Sequence, residues 1–236
     1  MAEAPKRAVV SLSGGMDSCV TVAEALAAGF EVHLLHADYG QRTEGREHRA
    51  FEAIADHYGV PARRRLVISF DNLRAIGGSA LTDPTLALPL DQDPHRAGVP
   101  LSYVPFRNAH LLATATSWAE VIGATAIYVG FVEEDGSGYP DCTEAFLKSF
   151  EATANLGTKP ETKLEFRAPL IHLRKGQIVR RGLELGAPLH LSWSCYQSEA
   201  QACGRCDSCT LRLQGYQEAG VADPIPYAFI PPSLKV

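Results

Sequence analysis

Three observations predict an α/β fold, a parallel sheet wrapped by helices and followed by a small cysteine-rich unit. Apolar, β-branched runs alternate with helical patterns from residue 7 onward, a glycine-serine turn separates the first strand from the first helix, and four of six cysteines crowd between positions 195 and 209. Alternating strands and helices build βαβ units, whose right-handed crossovers make neighbouring strands parallel.

The elements follow from hydrophobic period. RAVVSLS (7–13), EVHLLHAD (31–38) and RRRLVIS (63–69) read as strands, and MDSCVTVAEALAAG (16–29) and EGREHRAFEAIADHYG (44–59) as the helices between them. From Phe70 to Pro100 the period fails at Pro84, Pro89 and Pro94. A loop that long is usually functional or mobile, and a partly ordered lid or a dimer contact is expected. Order returns with a helix over 108–123, a strand over 126–131, a helix over 142–157, a strand at FRAPLIH (166–172) and a helix over 175–186. Two units are expected, 1–190 and 191–236.

No apolar run approaches the ~20 residues of a spanning helix, and MAEAPKRAVV lacks a secretory apolar stretch, so a cytoplasmic protein without membrane contact is expected. A net charge of −5 leaves no basic footprint for nucleic acid, and Arg63, Arg64 and Arg65 read as a solvated strand entry. The expected partner is a small molecule. Cytosolic thiols stay reduced, which turns the cysteines into a question about metal.

In VVSLSGGMDS, Gly14 and Gly15 allow a sharp turn that gathers backbone N–H groups at the positive end of a helix starting near Met16, a natural anion site. Ser11, Ser13 and Ser18 add hydroxyls, and Asp17 can accept from a ligand or help hold Mg²⁺. Neither GxxxxGK[ST] nor GxGxxG fits. A plain capped turn uses the same residue types.

At the second strand's exit, Asp38, Tyr39 and Gln41 face the crevice where open α/β sheets bind ligands, although the same residues serve a simple turn. Arg107 stands at a helix entrance, as a bidentate phosphate clamp or as a surface ion pair. The stretch EEDGSGYPDC brings Glu133, Glu134, Asp135, Tyr139 and Asp141 together, carboxylates and an aromatic suited to a purine-like ring. Asp141 equally suits an N-cap of the next helix. Cys142 is either a nucleophile of lowered pKa or a small buried residue.

Cys195, Cys203, Cys206 and Cys209 form a C-x7-C-x2-C-x2-C array. Four thiolates close a tetrahedral Zn²⁺ site and leave no open position, which makes the metal structural. An iron–sulfur cluster is the rival.

SGGMDS after the first strand resembles the loop of the PP-loop N-type ATP pyrophosphatases. With DYGQR, YVPFRN, GYPDC and SWSCY…CGRCDSC following in order, the chain is similar to the 7-cyano-7-deazaguanine synthase (QueC) family from about residue 7 to ADPIPYA. The resemblance implies an adenine nucleotide alpha hydrolase-like, Rossmann-like domain. It also implies ATP-dependent conversion of 7-carboxy-7-deazaguanine and ammonia to 7-cyano-7-deazaguanine, through an adenylated carboxylate and an adenylated amide, in queuosine precursor biosynthesis. In that scheme Ser13, Gly14, Gly15, Asp17 and Ser18 handle pyrophosphate and Mg²⁺. Arg107 and Lys175 neutralise phosphate, and Asp38, Tyr39, Gln41, Tyr139 and Asp141 contact nucleotide or deazaguanine. A homodimer using free or partner-supplied ammonia is implied too. The chain departs from the family at Phe106, where glycine is common, and at Thr143, where arginine is common. A PP-loop tRNA-modifying, thiolating enzyme is the alternative; it calls for a basic groove and an RNA domain, neither evident in the sequence.

Overall fold

The computed structural model describes residues 5–133 and 138–234. Five parallel strands form one sheet in the order β3-β2-β1-β4-β5: β1 Arg7–Ser11, β2 Glu31–Asp38, β3 Arg65–Ser69, β4 Ala126–Tyr128 and β5 Glu165–Arg167. Helices α1 (Met16–Ala27), α2 (Glu44–His57), α6 (Lys175–Glu184) and α7 (Asp207–Ala219) supply one layer. Their Val20, Phe51, Ile178 and Tyr216 pack with Ala8, Val10 and Leu34 of the sheet. Helices α4 (Arg107–Ile122) and α5 (Glu144–Gly157) cover the other face, where Leu112 and Leu147 meet Val9, Leu35 and Ile127. Successive strand residues thus enter opposite cores, as a sheet buried on both faces requires.

From β1 the chain passes along one face to β2, while α4 on the other face returns it to β4 on β1's far side. The strand order reverses between β1 and β4, and ligands of open α/β sheets bind at the carboxyl end of such a switch point.

The strand expected over 166–172 stops at Arg167, because Pro169 has no N–H for a ladder and the chain turns there. The chain between β3 and α4, which includes the aperiodic 70–100 stretch, contains α3 (Asp71–Ile76) and then turns held against the body. Arg42 donates to the carbonyls of Ala80, Asp83 and Leu86, and Arg96 pairs with Asp207 at 2.8 Å. After the cysteines, α7 packs along α6, while Trp193, Cys195, Ala202, Cys206, Cys209 and Ile225 make a separate small core with Ala50. Among the described residues no helix is long and apolar enough to cross a membrane.

Candidate active site

A cavity of about 280 Å³ opens at the carboxyl ends of β1, β2 and β4, lined there by Ser11 and Ser13, Ala37 and Tyr39, and Gly130 and Phe131. Gly14 turns with φ +89°, and a Cβ on it would lie 2.6 Å from the Glu47 carbonyl oxygen, so only glycine fits. Ser13 Oγ accepts from Gly15 N at 3.2 Å and lies 3.1 Å from Ser18 Oγ, which donates to the Gly15 carbonyl at 3.0 Å. Gly15 caps α1 without a side-chain bond, leaving the first-turn amides free for an anion. Gly130 brings the exit of β4 against this turn; a Cβ there would stand 3.0 Å from Ser18 N.

Asp17 Oδ2 accepts from Lys175 Nζ, the first residue of α6, at 2.7 Å. Its Oδ1 is buried without a hydrogen-bond partner among the described residues, which fits a carboxylate awaiting a cation or a ligand donor. Both residues line the cavity, as do Ser11, Ser13, Gly15, Met16, Ser18, Tyr39, Arg107 and Tyr139.

Arg107, at the start of α4, donates to Tyr39 Oη at 2.8 Å and lies 5.0 Å over its ring. Burial raises the phenols of Tyr39, Tyr139 and Tyr196 above their ordinary range, so all three stay neutral at physiological pH. Arg107 is left a half-buried cation with no carboxylate in ion-pair distance among the described residues, an attractor for a phosphate or a substrate carboxylate. Burial likewise pushes the Cys142 thiol to about 12, which excludes a thiolate nucleophile near neutral pH.

Other residues singled out in the sequence support the cavity from behind. Gln41 Oε1 accepts from Tyr39 N at 2.8 Å, and its amide donates to Glu47 at 3.2 Å. Asp141 Oδ2 accepts from Asn108 N at 2.9 Å and holds the start of α4; the N-cap of α5 is Thr143, which accepts from Phe146 N. Asp38 faces His36 and His48 and does not line the cavity. Glu133 accepts from Glu144 N, and Glu134 and Asp135 lie outside the described residues.

The structure adds wall residues that sequence reading passes over. Ser102 Oγ lies 2.9 Å from Tyr139 Oη, Arg96 and Pro94 come from the aperiodic segment, and Tyr196 follows the first cysteine of the array. Glu47 also lines the cavity, its carboxyl raised by burial and held by Thr43 Oγ1 at 2.8 Å. Only Tyr196 carried a signal, its adjacency to Cys195.

All six cysteines are free, and the sulfurs of Cys195, Cys203, Cys206 and Cys209 lie within 4.8 Å of one another. Cys195 Sγ accepts from the amides of Gln197, Ser198 and Cys203, and Cys203 Sγ from those of Arg205 and Cys206, at 3.3–3.4 Å. Amides converging on sulfur favour thiolate, and the four fit one tetrahedral ion. Cys206 is also the N-cap of α7, whose Asp207, Ser208 and Leu211 line the cavity, so the cysteine cluster stands directly behind part of its wall.

A family profile described as "Queuosine biosynthesis protein QueC" matches residues 7–220. A 7-cyano-7-deazaguanine synthase of Chlorobium phaeobacteroides is 55% identical over 94% of this chain and 96% of its own length. One of Chlorobaculum parvum is 51% identical over 97% of this chain and all of the relative. Among solved structures, a 4-thiouridine synthetase–RNA complex with bound ATP aligns with a TM-score of 0.48 and 22% identity, over 77% of this chain and 41% of that one. With a family match across nearly the whole sequence and relatives more than half identical end to end, this chain belongs to the QueC family.

Proposed function

We propose that this chain is a 7-cyano-7-deazaguanine synthase acting in queuosine precursor biosynthesis. The observation that carries the reading is the match, over nearly the full length of both chains, to proteins named for that activity. The cavity supplies a chemical rationale. A carboxylate attacks the α phosphate of ATP and releases pyrophosphate, forming an acyl adenylate, and ammonia then displaces AMP to give an amide. A second ATP adenylates the amide oxygen, and loss of AMP and a proton leaves the nitrile. Each adenylation turns a poor oxygen leaving group into AMP.

The residues divide the work by charge. The open amides of α1, with Ser13 and Ser18, bind the departing pyrophosphate, and Lys175 neutralises charge developing beside Asp17. The unpartnered Oδ1 of Asp17 is the atom that would hold Mg²⁺ carried in with the nucleotide. Arg107 takes a phosphate or the substrate carboxylate, while Tyr39 fixes its guanidinium plane and Tyr139 lies against the deazaguanine. Cys195, Cys203, Cys206 and Cys209 would hold Zn²⁺, which supplies folding energy to the cavity wall and takes no part in the chemistry. The working unit is a cytoplasmic homodimer that draws on free ammonia or a partner's supply.

The test is mass spectrometry of the purified protein incubated with 7-carboxy-7-deazaguanine, ATP, Mg²⁺ and ammonium. Nitrile with two AMP and two pyrophosphate per product is the expected result; AMP without nitrile, or no turnover, overturns the reading. Asp17→Ala should lower AMP formation on the order of a hundredfold or more, and full turnover in that variant would show the site to be misplaced.

A further inference from the structure

Behind the cavity, beneath α2, three side chains that the proposed chemistry does not use converge. His36 of β2 is fully buried, its ring 5.0 Å from Phe51 and 5.6 Å from His48 of α2. Its Nδ1 donates to the Leu12 carbonyl oxygen at 2.9 Å, so in the neutral ring Nε2 carries the lone pair. That lone pair faces Asp38 Oδ1 at 3.2 Å, out of line for a hydrogen bond, and neither atom has a hydrogen-bond partner among the described residues. His48 Nδ1 stands 3.9 Å from the other carboxylate oxygen, and its side chain is 41% exposed.

Two buried acceptors pointed at each other repel unless something positive lies between them. A proton on Nε2 meets that need as an ion pair, but the pair makes no aligned hydrogen bond along the line from Nε2 to Oδ1. A metal ion needs no such line, because it binds each atom along its own lone pair. Two ligands about 2.1 Å from one ion at the tetrahedral angle stand roughly 3.4 Å apart, close to the observed span. The backbone carbonyl on the far ring nitrogen is the usual outer partner of a metal-bound histidine. One ligand atom from each of the three residues falls within 4.8 Å of the others.

We propose that His36, Asp38 and His48 form a second metal site, distinct from the four cysteines, for a borderline divalent ion of the Zn²⁺, Co²⁺ or Ni²⁺ class. Two imidazole nitrogens and one carboxylate oxygen select that class over Mg²⁺, and the exposed His48 side leaves a position for water. Leu12 directly precedes Ser13 and Asp38 directly precedes Tyr39, so an occupied site ties together the exits of β1 and β2 that carry the phosphate turn and the partner of Arg107.

The test uses untagged protein with its four-cysteine site loaded with Zn²⁺, dialysed against Co²⁺ and assayed for both metals by mass spectrometry. One further equivalent of Co²⁺ is expected, with weak visible d–d bands and no thiolate charge-transfer band. His48→Ala, a change at a partly exposed helix position, should weaken that equivalent at least about tenfold while the Zn²⁺ content stays at one. No second equivalent in the wild type, a charge-transfer band on the added Co²⁺, or undiminished uptake by His48→Ala would each overturn the proposal.

Discussion

Phe106 enters α4 with φ +58°, the left-handed conformation, and the residue is 57% exposed. That conformation costs a residue with a Cβ roughly 1–2 kcal/mol, a cost that glycine at this position would not carry. Tyr103 Oη accepts from Phe106 N at 2.9 Å and helps hold the turn, and the ring meets Phe146 at 6.1 Å. Phe106→Ala keeps the strain and loses the ring contact, whereas Phe106→Gly loses the contact and the strain together. Glycine should therefore be the more stable variant by about 1 kcal/mol, the reverse of the order inside a helix, as thermal unfolding of the pair would show. An alanine variant as stable as glycine would mean the turn relaxes out of the left-handed region. Site residues were legible where chemistry is local: Ser13, Asp17 and Ser18 lie in one turn, and Arg107 at a helix entrance. Cys142 shows the limit, because its two readings differ only in burial, which no neighbouring residue in sequence announces.

At the scale of elements, the cysteine array and the aperiodic segment behave as one structure. Leu90 bridges to Cys206, Asp91 N donates to the Arg205 carbonyl at 2.8 Å, Arg205 pairs with Asp91 at 2.9 Å, and Arg96 forks onto both oxygens of Asp207. The next residues of the segment, Gly98, Pro100 and Ser102, line the cavity. A metal that fixes Cys206 therefore also fixes this segment. Chelation should raise amide exchange over residues 88–102 by about tenfold or more while β1 and β2 keep their protection, since local opening follows the loss of local anchors. Arg96→Ala should give a weaker version of the same change with the metal retained. Unchanged exchange in the chelated protein would assign the segment's order to Arg42, which anchors its first half. These anchors reach across 38 to 44 residues from Arg42 and more than a hundred from Arg205 and Asp207, to backbone carbonyls and carboxylates, so the segment shows no period and reads as a bare loop.

For the molecule as a whole, the parallel sheet and its crossovers were legible from alternating strand and helix patterns, because a strand buried on both faces needs a continuous apolar run. Helix α7 was not, since its buried side includes Arg212 and Gly215 beside Leu213 and Tyr216, and no apolar stripe marks it. Arg212 joins the tail to the rest of the protein. It is 1% exposed and grips Asp223, 3% exposed, through Nε–Oδ2 at 2.7 Å and Nη2–Oδ1 at 3.0 Å. The remaining donors reach Ser192 Oγ at 2.8 Å and the Leu189 carbonyl at 3.2 Å, while Asp223 also accepts from Tyr227 Oη at 2.7 Å. Removing one partner of such a pair strands the other charge, at a cost of about 3–5 kcal/mol, a large share of a typical 5–15 kcal/mol total. Asp223→Ala should lower the melting temperature of the metal-loaded protein on the order of 10 °C. Adding Arg212→Met removes the stranded guanidinium and should restore at least half of the loss. If the double variant melts no higher than the single one, the hydrogen bonds to Ser192 and Leu189, and not the buried charge, set the cost of opening this junction.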